Sequence, residues 1–175
     1  MARKKAIILL SGGIDSAVCL AIAKSQSYDC YTLCIDYGQR HGIEIEAAKE
    51  IADNIGVFEH RTVKMQIGDW GGSALTDLSL DVPHENHEDI PITYVPARNT
   101  LFFSAALAWA EVIGARDIFF GANKDDFIHY PDCRPEYFRA FENVANLATR
   151  VGVEGGCFQI QAPLVDNKKK AVIER

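Results

Sequence analysis

An α/β fold built on a doubly wound parallel sheet is predicted by three features of the 175-residue chain. Short apolar runs alternate with longer stretches of helical period from end to end. The first run, Ile7 to Leu10, is continuously apolar, as a parallel strand covered on both faces must be. Polar blocks follow the strands at their carboxyl ends, where an open α/β sheet collects its ligands.

The first strand runs directly into Ser11-Gly12-Gly13-Ile14-Asp15-Ser16 and then a helix. Gly12 and Gly13 permit a sharp turn and a close approach of backbone to ligand. The first helical turn leaves N–H groups unpaired, and the helix dipole adds positive potential there. The turn therefore suits an anion, phosphate above all. Ser11 and Ser16 add hydroxyl donors. Asp15 would repel phosphate directly, so its expected task is to hold Mg²⁺ across phosphate oxygens. The loop lacks the Gly-Lys-Ser/Thr ending of a Walker A loop and the G-x-G-x-x-G spacing of a dinucleotide site. The alternative is a glycine-rich turn with no ligand.

The helix from about Ser16 to Lys24 is apolar nearly all round and is expected to be buried. A second strand, about Cys30 to Asp36, puts Cys30, Thr32 and Cys34 on one face and Tyr31, Leu33 and Ile35 on the other. It delivers Asp36-Tyr37-Gly38-Gln39-Arg40-His41 to the carboxyl edge. A helix from Gln39 to about Ile55 follows, with Ile43, Ala47, Ile51 and Ile55 as its inner face and Gly56 after its end. A third strand spans about Val57 to Met65. Residues 66–97 carry little regular pattern, and a loop this long is read as a lid, a solvated excursion or part of a subunit contact. His84 and His87 within it sit beside carboxylates, either solvated or holding a metal.

Arg98 to Ile113 is a second organising helix, ended by Gly114. Leu101, Phe102, Ala105, Ala108, Trp109 and Val112 form one apolar face, and Phe103, Ala106, Ala110 and Ile113 cover the other. Its first residues, Arg98 and Asn99, suit a phosphate or a substrate carboxylate. A strand at Asp117 to Gly121 then carries Ala122-Asn123-Lys124-Asp125-Asp126 to the same edge. Tyr130-Pro131-Asp132-Cys133-Arg134-Pro135-Glu136 is rigid and polar. Pro135 opens a helix to about Arg150 with Phe138, Phe141, Ala145 and Ala148 inward. A strand near Phe158 to Ala162 and a helix near Lys168 finish the chain. Lys168-Lys169-Lys170 offers a solvated face or a phosphate contact.

The formal net charge of −6 argues against a broad electrostatic grip on nucleic acid. No apolar run approaches the roughly 20 residues that span a bilayer. The basic start is followed by too short an apolar run for a secretion signal. The five cysteines are odd in number and scattered, as expected of reduced thiols in the cytoplasm. No C-x-x-C pair marks a zinc knuckle.

The hexapeptide resembles the phosphate-binding PP-loop of the ATP pyrophosphatases, whose adenine nucleotide alpha hydrolase-like fold is doubly wound. That group adenylates its substrates and releases pyrophosphate. Four blocks in order, Ser11 to Ser16, Asp36 to His41, Val95 to Asn99 and Gly121 to Glu136, resemble the 7-cyano-7-deazaguanine synthase family of queuosine precursor biosynthesis. The likeness covers essentially the whole chain, as one PP-loop domain.

The resemblance implies ATP and Mg²⁺ as cofactors, with 7-carboxy-7-deazaguanine and ammonia as substrates. It implies ATP contacts from Leu10, Ser11, Gly12, Gly13, Ile14, Asp15, Ser16, Ala17, Val18, Cys19 and Leu20. Asp15, Arg98 and Lys169 are the candidate catalytic residues. Gln39, Arg40, Arg98, Asn99, Asn123, Asp125, Asp132 and Arg134 are the candidate substrate contacts. Asp132 and Arg134 either hold the purine-like ring and its carboxylate or form a turn that shapes the pocket. Cys133 invites a thioester, which adenylation makes unnecessary. A homodimer in the cytoplasm, without nucleic acid or membrane, is expected. The family carries structural zinc on four further cysteines beyond this last helix. They have no counterpart among the five here: either this is part of a longer chain, or the protein lacks that site. The alternatives are another PP-loop adenylating ligase, a tRNA-thiolating enzyme, or an ATP-binding module without catalysis.

Overall fold

A computed structural model describes residues 3–39, 42–77, 79 and 90–174. Five parallel strands lie in the order β3-β2-β1-β4-β5. They are β1 (Lys5–Leu9), β2 (Asp29–Asp36), β3 (Glu59–Lys64), β4 (Asp117–Phe119) and β5 (Gln159–Gln161). The central strand β1 pairs with β2 through Ala6↔Cys30 and Ile8↔Thr32, and with β4 through Ile7↔Ile118. The strand order reverses between β1 and β4, so the crevice for a ligand opens at their carboxyl ends.

Alternation along the strands assigns each side chain to a layer. Ala6, Ile8, Leu10, Cys30 and Cys34 face α1 (Ile14–Ser25) and α2 (Ile43–Ile55), with Leu20, Ala23, Ala48 and Ala52 completing that core. Ile7, Leu9, Tyr31, Leu33 and Ile35 face α3 (Arg98–Ile113) and α5 (Pro135–Ala148) on the other side. The cysteines of β2 are thus small apolar packing groups. Helices on both faces explain why β1 is apolar from Ala6 onward.

Several expectations need correction. Helix α2 begins at Ile43, so Gln39 precedes it; Arg40 and His41 lie outside the described residues. Ile43 is 72% exposed, and the buried positions are Ala48 and Ala52. A row repeating every four residues drifts by about 40° per step, so its ends cannot both face the sheet. In α3 the face led by Leu101 is only partly covered: Val112 is 82% exposed. The opposite face, with Phe103, Ala106, Leu107 and Ala110, enters the core beside Trp109. Helix α5 stops at Ala148, which is exposed. Thr149 breaks it, because its hydroxyl accepts from the Gly152 N–H at 3.2 Å and caps the short α6 (Arg150–Val153).

The described part of the long loop folds over the sheet's carboxyl edge. It contains a 3₁₀ turn at Ile67–Trp70, and Ile67, Ser73, Ala74 and Val95 are buried. The run from His84 to Asp89, and the metal reading of its histidines, lie outside the described residues. Among the described residues, no helix is long and apolar enough to cross a membrane.

The edge strand carries a pH-sensitive pair. Thr32 Oγ1 lies 2.8 Å from His60 Nδ1 across β2 and β3. Burial holds the His60 imidazole below its ordinary value, with Lys49 adding to the effect and Asp53 opposing it. The unfolded chain therefore takes up the proton more readily. Stability from neutral His60 is complete above about pH 6.5 and is lost as pH falls through its folded value. Thermal midpoints are expected to drop between about pH 7.5 and pH 5, and His60→Gln should flatten part of that slope.

Candidate active site

The loop after β1 is held open by its own serines. Ser16 Oγ donates to the Gly13 carbonyl at 2.8 Å and accepts from the Ser11 N–H at 3.2 Å. Gly12 has φ +86°, where L side chains are rare. A Cβ there would fall on the Glu44 carbonyl oxygen and 3.0 Å from the Ala48 nitrogen. The loop thus rests directly on α2, and the small Ala48 makes that approach possible. Gly121 closes the other side. A Cβ on it would lie 2.9 Å from Ser16 N and from the Asp15 carbonyl carbon. Between these contacts the first amides of α1, on Ile14, Asp15 and Ser16, have no carbonyl one turn back to bond.

A cavity of about 480 Å³ opens in front of them. One end is the glycine loop between β1 and α1, lined by Leu10, Ser11, Gly13, Asp15 and Ser16 with Asp126 and Lys169. Lys169 Nζ lies 3.9 Å from Asp15 Oδ2. Asp15 Oδ1 is buried and has no hydrogen-bond partner among the described residues. Burial raises the Asp126 carboxyl above the ordinary aspartate value; the Asn123 N–H opposes this and the Asp15 charge adds to it. Two carboxylates and an ammonium therefore share this end.

The other end is aromatic and cationic. Tyr37, Phe102, Tyr130 and Phe120 line it with Arg98, Asn99 and Cys133. Ala97, at φ +56°, turns the chain into α3 and presents Arg98. Arg98 Nη1 donates to the Tyr37 hydroxyl at 3.3 Å, and its guanidinium lies over the Tyr37 and Phe102 rings.

The sequence-selected residues divide accordingly. Leu10, Ser11, Gly13, Asp15, Ser16, Gln39, Arg98, Asn99 and Lys169 share the cavity wall. Gly12 faces α2, while Cys19 and Leu20 pack in the core. Ile14, Ala17 and Val18 are also absent from the wall. Asn123, Asp125, Asp132 and Arg134 are engaged in holding backbone. Asn123 caps α4 (Lys124–His129) through the N–H groups of Asp125 and Asp126, in a capping box with Asp126. Asp125 Oδ2 accepts the Lys169 N–H at 3.1 Å and so seats α7 (Lys169–Ile173). Asp132 Oδ2 accepts the Asn99 N–H at 3.1 Å, at the start of α3. Arg134 donates to the Phe127 carbonyl at 3.4 Å. Asn99 is 2% exposed, and its amide donates to Cys133 Sγ at 3.3 Å.

Tyr37, Glu44, Phe102 and Asp126 were not selected from sequence. Tyr37 and Asp126 had a usable signal, since each follows a strand end in a polar block. Glu44 and Phe102 had none, because only the packing of α2 and α3 brings them to the cavity.

A family model described as "Queuosine biosynthesis protein QueC" matches residues 5–175. The chain belongs to the QueC family. A 7-cyano-7-deazaguanine synthase of Stutzerimonas stutzeri (strain A1501) is 55% identical over 175 residues, all of this chain and 78% of the relative. One from Pseudomonas aeruginosa (strain LESB58) is 56% identical over 174 residues, 99% of this chain and 78% of the relative. Among solved structures, an NH3-dependent NAD synthetase from Campylobacter jejuni superposes with a TM-score of 0.56 at 14% identity, over 98% of this chain and 61% of that one. A 4-thiouridine synthetase in complex with RNA and ATP gives 0.57 at 20%, over 98% and 39%. At such identity these two establish a shared PP-loop fold alone.

Within this QueC-family site, Cys133 is a wall and not a poised thiolate. Burial pushes its thiol up to about 12, with Asp132 and Asp126 adding to the effect. Native protein treated with iodoacetamide is expected to label the exposed Cys157 well before Cys133, as mass spectrometry would read. Cys133→Ala should keep turnover within about tenfold of the parent, whereas a covalent role requires far larger loss.

Proposed function

We propose that this chain is an ATP-dependent carbon–nitrogen ligase that converts 7-carboxy-7-deazaguanine and ammonia to 7-cyano-7-deazaguanine in queuosine precursor biosynthesis. The observation that carries the reading is 55% identity, across the whole chain, to a curated synthase of that name.

The chemistry accounts for a two-ended site. A carboxylate is a poor electrophile. Its oxygen attacks the α-phosphorus of ATP, and pyrophosphate leaves. Ammonia adds to the acyl carbon, and AMP and a proton leave to give the amide. The amide oxygen attacks a second ATP in the same way. Loss of AMP and of both amide N–H protons then forms the nitrile. Negative charge gathers on phosphate oxygens throughout, so preset donors supply much of the catalysis.

The first amides of α1 and the Ser11 hydroxyl bind phosphate oxygens, and Lys169 balances charge beside them. Arg98 takes the substrate carboxylate as a forked donor. Gln39 and Asn99 orient their neighbours at the wall. We assign Asn123, Asp125, Asp132 and Arg134 to shaping the pocket, through the capping and backbone bonds described above. The unpartnered Asp15 Oδ1, facing the same cavity as Asp126, is a fitting oxygen donor for Mg²⁺. Bound there, the ion would neutralise phosphate charge. Zinc has no such fit: among the described residues no three His, Cys, Asp or Glu side chains group to hold a metal. It enters no step.

We place the enzyme in the cytoplasm, a reading supported by its free cysteines. Exposed Val112 and Leu147 offer apolar surface for the expected homodimer.

The test is incubation of the protein with ATP, Mg²⁺, ammonium and 7-carboxy-7-deazaguanine, read by mass spectrometry. The nitrile is expected together with AMP. AMP without nitrile, or no turnover, would overturn the assignment.

A further inference from the structure

The outer face of α3 is uncharged. No charged residue stands between Arg98 and Glu111. Both end charges are engaged elsewhere: Arg98 reaches the Tyr37 hydroxyl, and Glu111 Oε1 accepts the Val151 N–H at 3.1 Å. The exposed sides of the other long helices differ. They carry Glu46, Lys49, Glu50 and Asp53 on α2, and Glu136 and Arg139 on α5. A helix face bathed by water carries such residues. On α3, Leu101, Ala105, Ala108 and Val112 fall within about 60° of one another around the axis. Ala108 and Val112 are exposed.

Apolar surface continues at both ends of this stripe. Beside Leu101 a second cavity of about 490 Å³ is walled by Met65, Ile67 and Trp70, with Gln66 and Asp69. Trp70 is 74% exposed. At the other end, exposed Phe58 stacks on Tyr31 with ring centres 4.9 Å apart, and Tyr31 meets Trp109 edge-on at 5.9 Å. Uncharged, aromatic surface of this kind composes the centre of a buried interface.

The pattern says what covers it. The stripe runs large, small, small, large, with steps of four, three and four residues, so it reads the same in both directions. Antiparallel contact with a second α3, about a two-fold axis midway between Ala105 and Ala108, sets Leu101 against the partner's Val112 and Ala105 against the partner's Ala108. The charges obey the same operation. The Arg61 guanidinium lies 4.7 Å over the Trp109 ring, near the end of α3, and Asp69 lies beside Leu101 near its start. Both come from β3 and the turn after it, hence from the same flank of α3. Reversing the helix brings the partner's Arg61 to Asp69, and the pairing occurs twice. Among the described residues Asp69 has no ion pair, and Arg61 has only the exposed one to Glu59.

We propose that the outer face of α3 and the Ile67–Trp70 turn dock a second copy of this chain, antiparallel and held in register by two Arg61–Asp69 pairs. Trp70 and the partner's Val112 close over the second cavity. That the protein is a homodimer belongs to the proposed function; the face, its register and its charge pairs rest on this surface.

Sedimentation across a dilution series tests this. The parent is expected to be a dimer at micromolar concentration. Val112→Glu puts two carboxylates into the apolar contact and should weaken association at least about 100-fold. Ile43→Glu, at an exposed position on α2, should leave it unchanged. Arg61→Glu and Asp69→Arg should each weaken association about tenfold or more, and the double variant should recover most of that loss, since the exchange restores both pairs. In Trp109→Phe, Trp70 is the one tryptophan left, and its emission should shift to the blue as the dimer forms. ATP binding within about threefold of the parent reports that each variant is folded. The proposal is overturned if the parent is a monomer, if Val112→Glu stays dimeric, if the double exchange recovers nothing, or if Trp70 emission ignores dilution. A parent dimer indifferent to all these changes would remove this face and leave the homodimer to another.

Discussion

Gly12→Ala is expected to unfold the phosphate loop's seat on α2 and to weaken ATP binding at least about tenfold. The added methyl would need a positive φ and would overlap the Glu44 carbonyl. The left-handed conformation costs about 1 kcal/mol for alanine, and overlap with fixed helix backbone about 1–3 kcal/mol more. For a chain of this size each kcal/mol lowers the melting temperature by about 2–4 °C. Gly13 is the control. Its φ is −82°, and a Cβ there meets only Ser11 Oγ, at 3.5 Å. Gly13→Ala should therefore melt within a few degrees of the parent, even if its methyl crowds the phosphate. Thermal unfolding of both variants beside ATP titration separates a packing glycine from a ligand-facing one. Equal melting would remove the seat on α2 as the reason for Gly12.

Asp15→Ala should cut turnover by about 100-fold or more while sparing ATP binding in the absence of Mg²⁺. The carboxylate stands where phosphate oxygens are expected, so alone it repels them. Its removal also frees Lys169 from its 3.9 Å ion pair. Metal-free ATP affinity should hold or rise, whereas the gain in affinity on adding Mg²⁺ should shrink. Titration of parent and variant with and without Mg²⁺ reads both effects. A uniform loss of ATP affinity would show instead that Asp15 is needed only to hold the loop.

Much of the architecture was legible because its physical signals are local. A continuous apolar strand, a double-glycine turn and a helix start are written in neighbouring residues from Ile7 to Leu20. The bounds of α3 follow from Pro96 before Arg98 and from Gly114 after Ile113, and Gly114 does take φ +74°. Which side of α3 enters the core was not legible. Leu101 and Phe103 are both apolar, and only the position of the sheet and α5 decides between them. The period-four row in α2 misled for a related reason: residues at its two ends point in different directions.

The candidate site shows the same division. Residue type and order determined that a double-glycine turn, a following acidic side chain and an arginine at a helix start would meet at one sheet edge. The crevice between β1 and β4 brings them together. Only the tertiary structure decided which polar groups remain free for a ligand. Asp132, Asn123 and Asp125 look equally available in sequence, but each spends an oxygen on a helix start near the cavity. Arg98 alone among the sequence-selected arginines in the described residues is left with a buried, unpartnered nitrogen. Sequence determines which groups can donate and accept; folding decides which have already found partners, because those of Asp132 and Asp125 lie dozens of residues away along the chain, and the Asn123 cap alone is local.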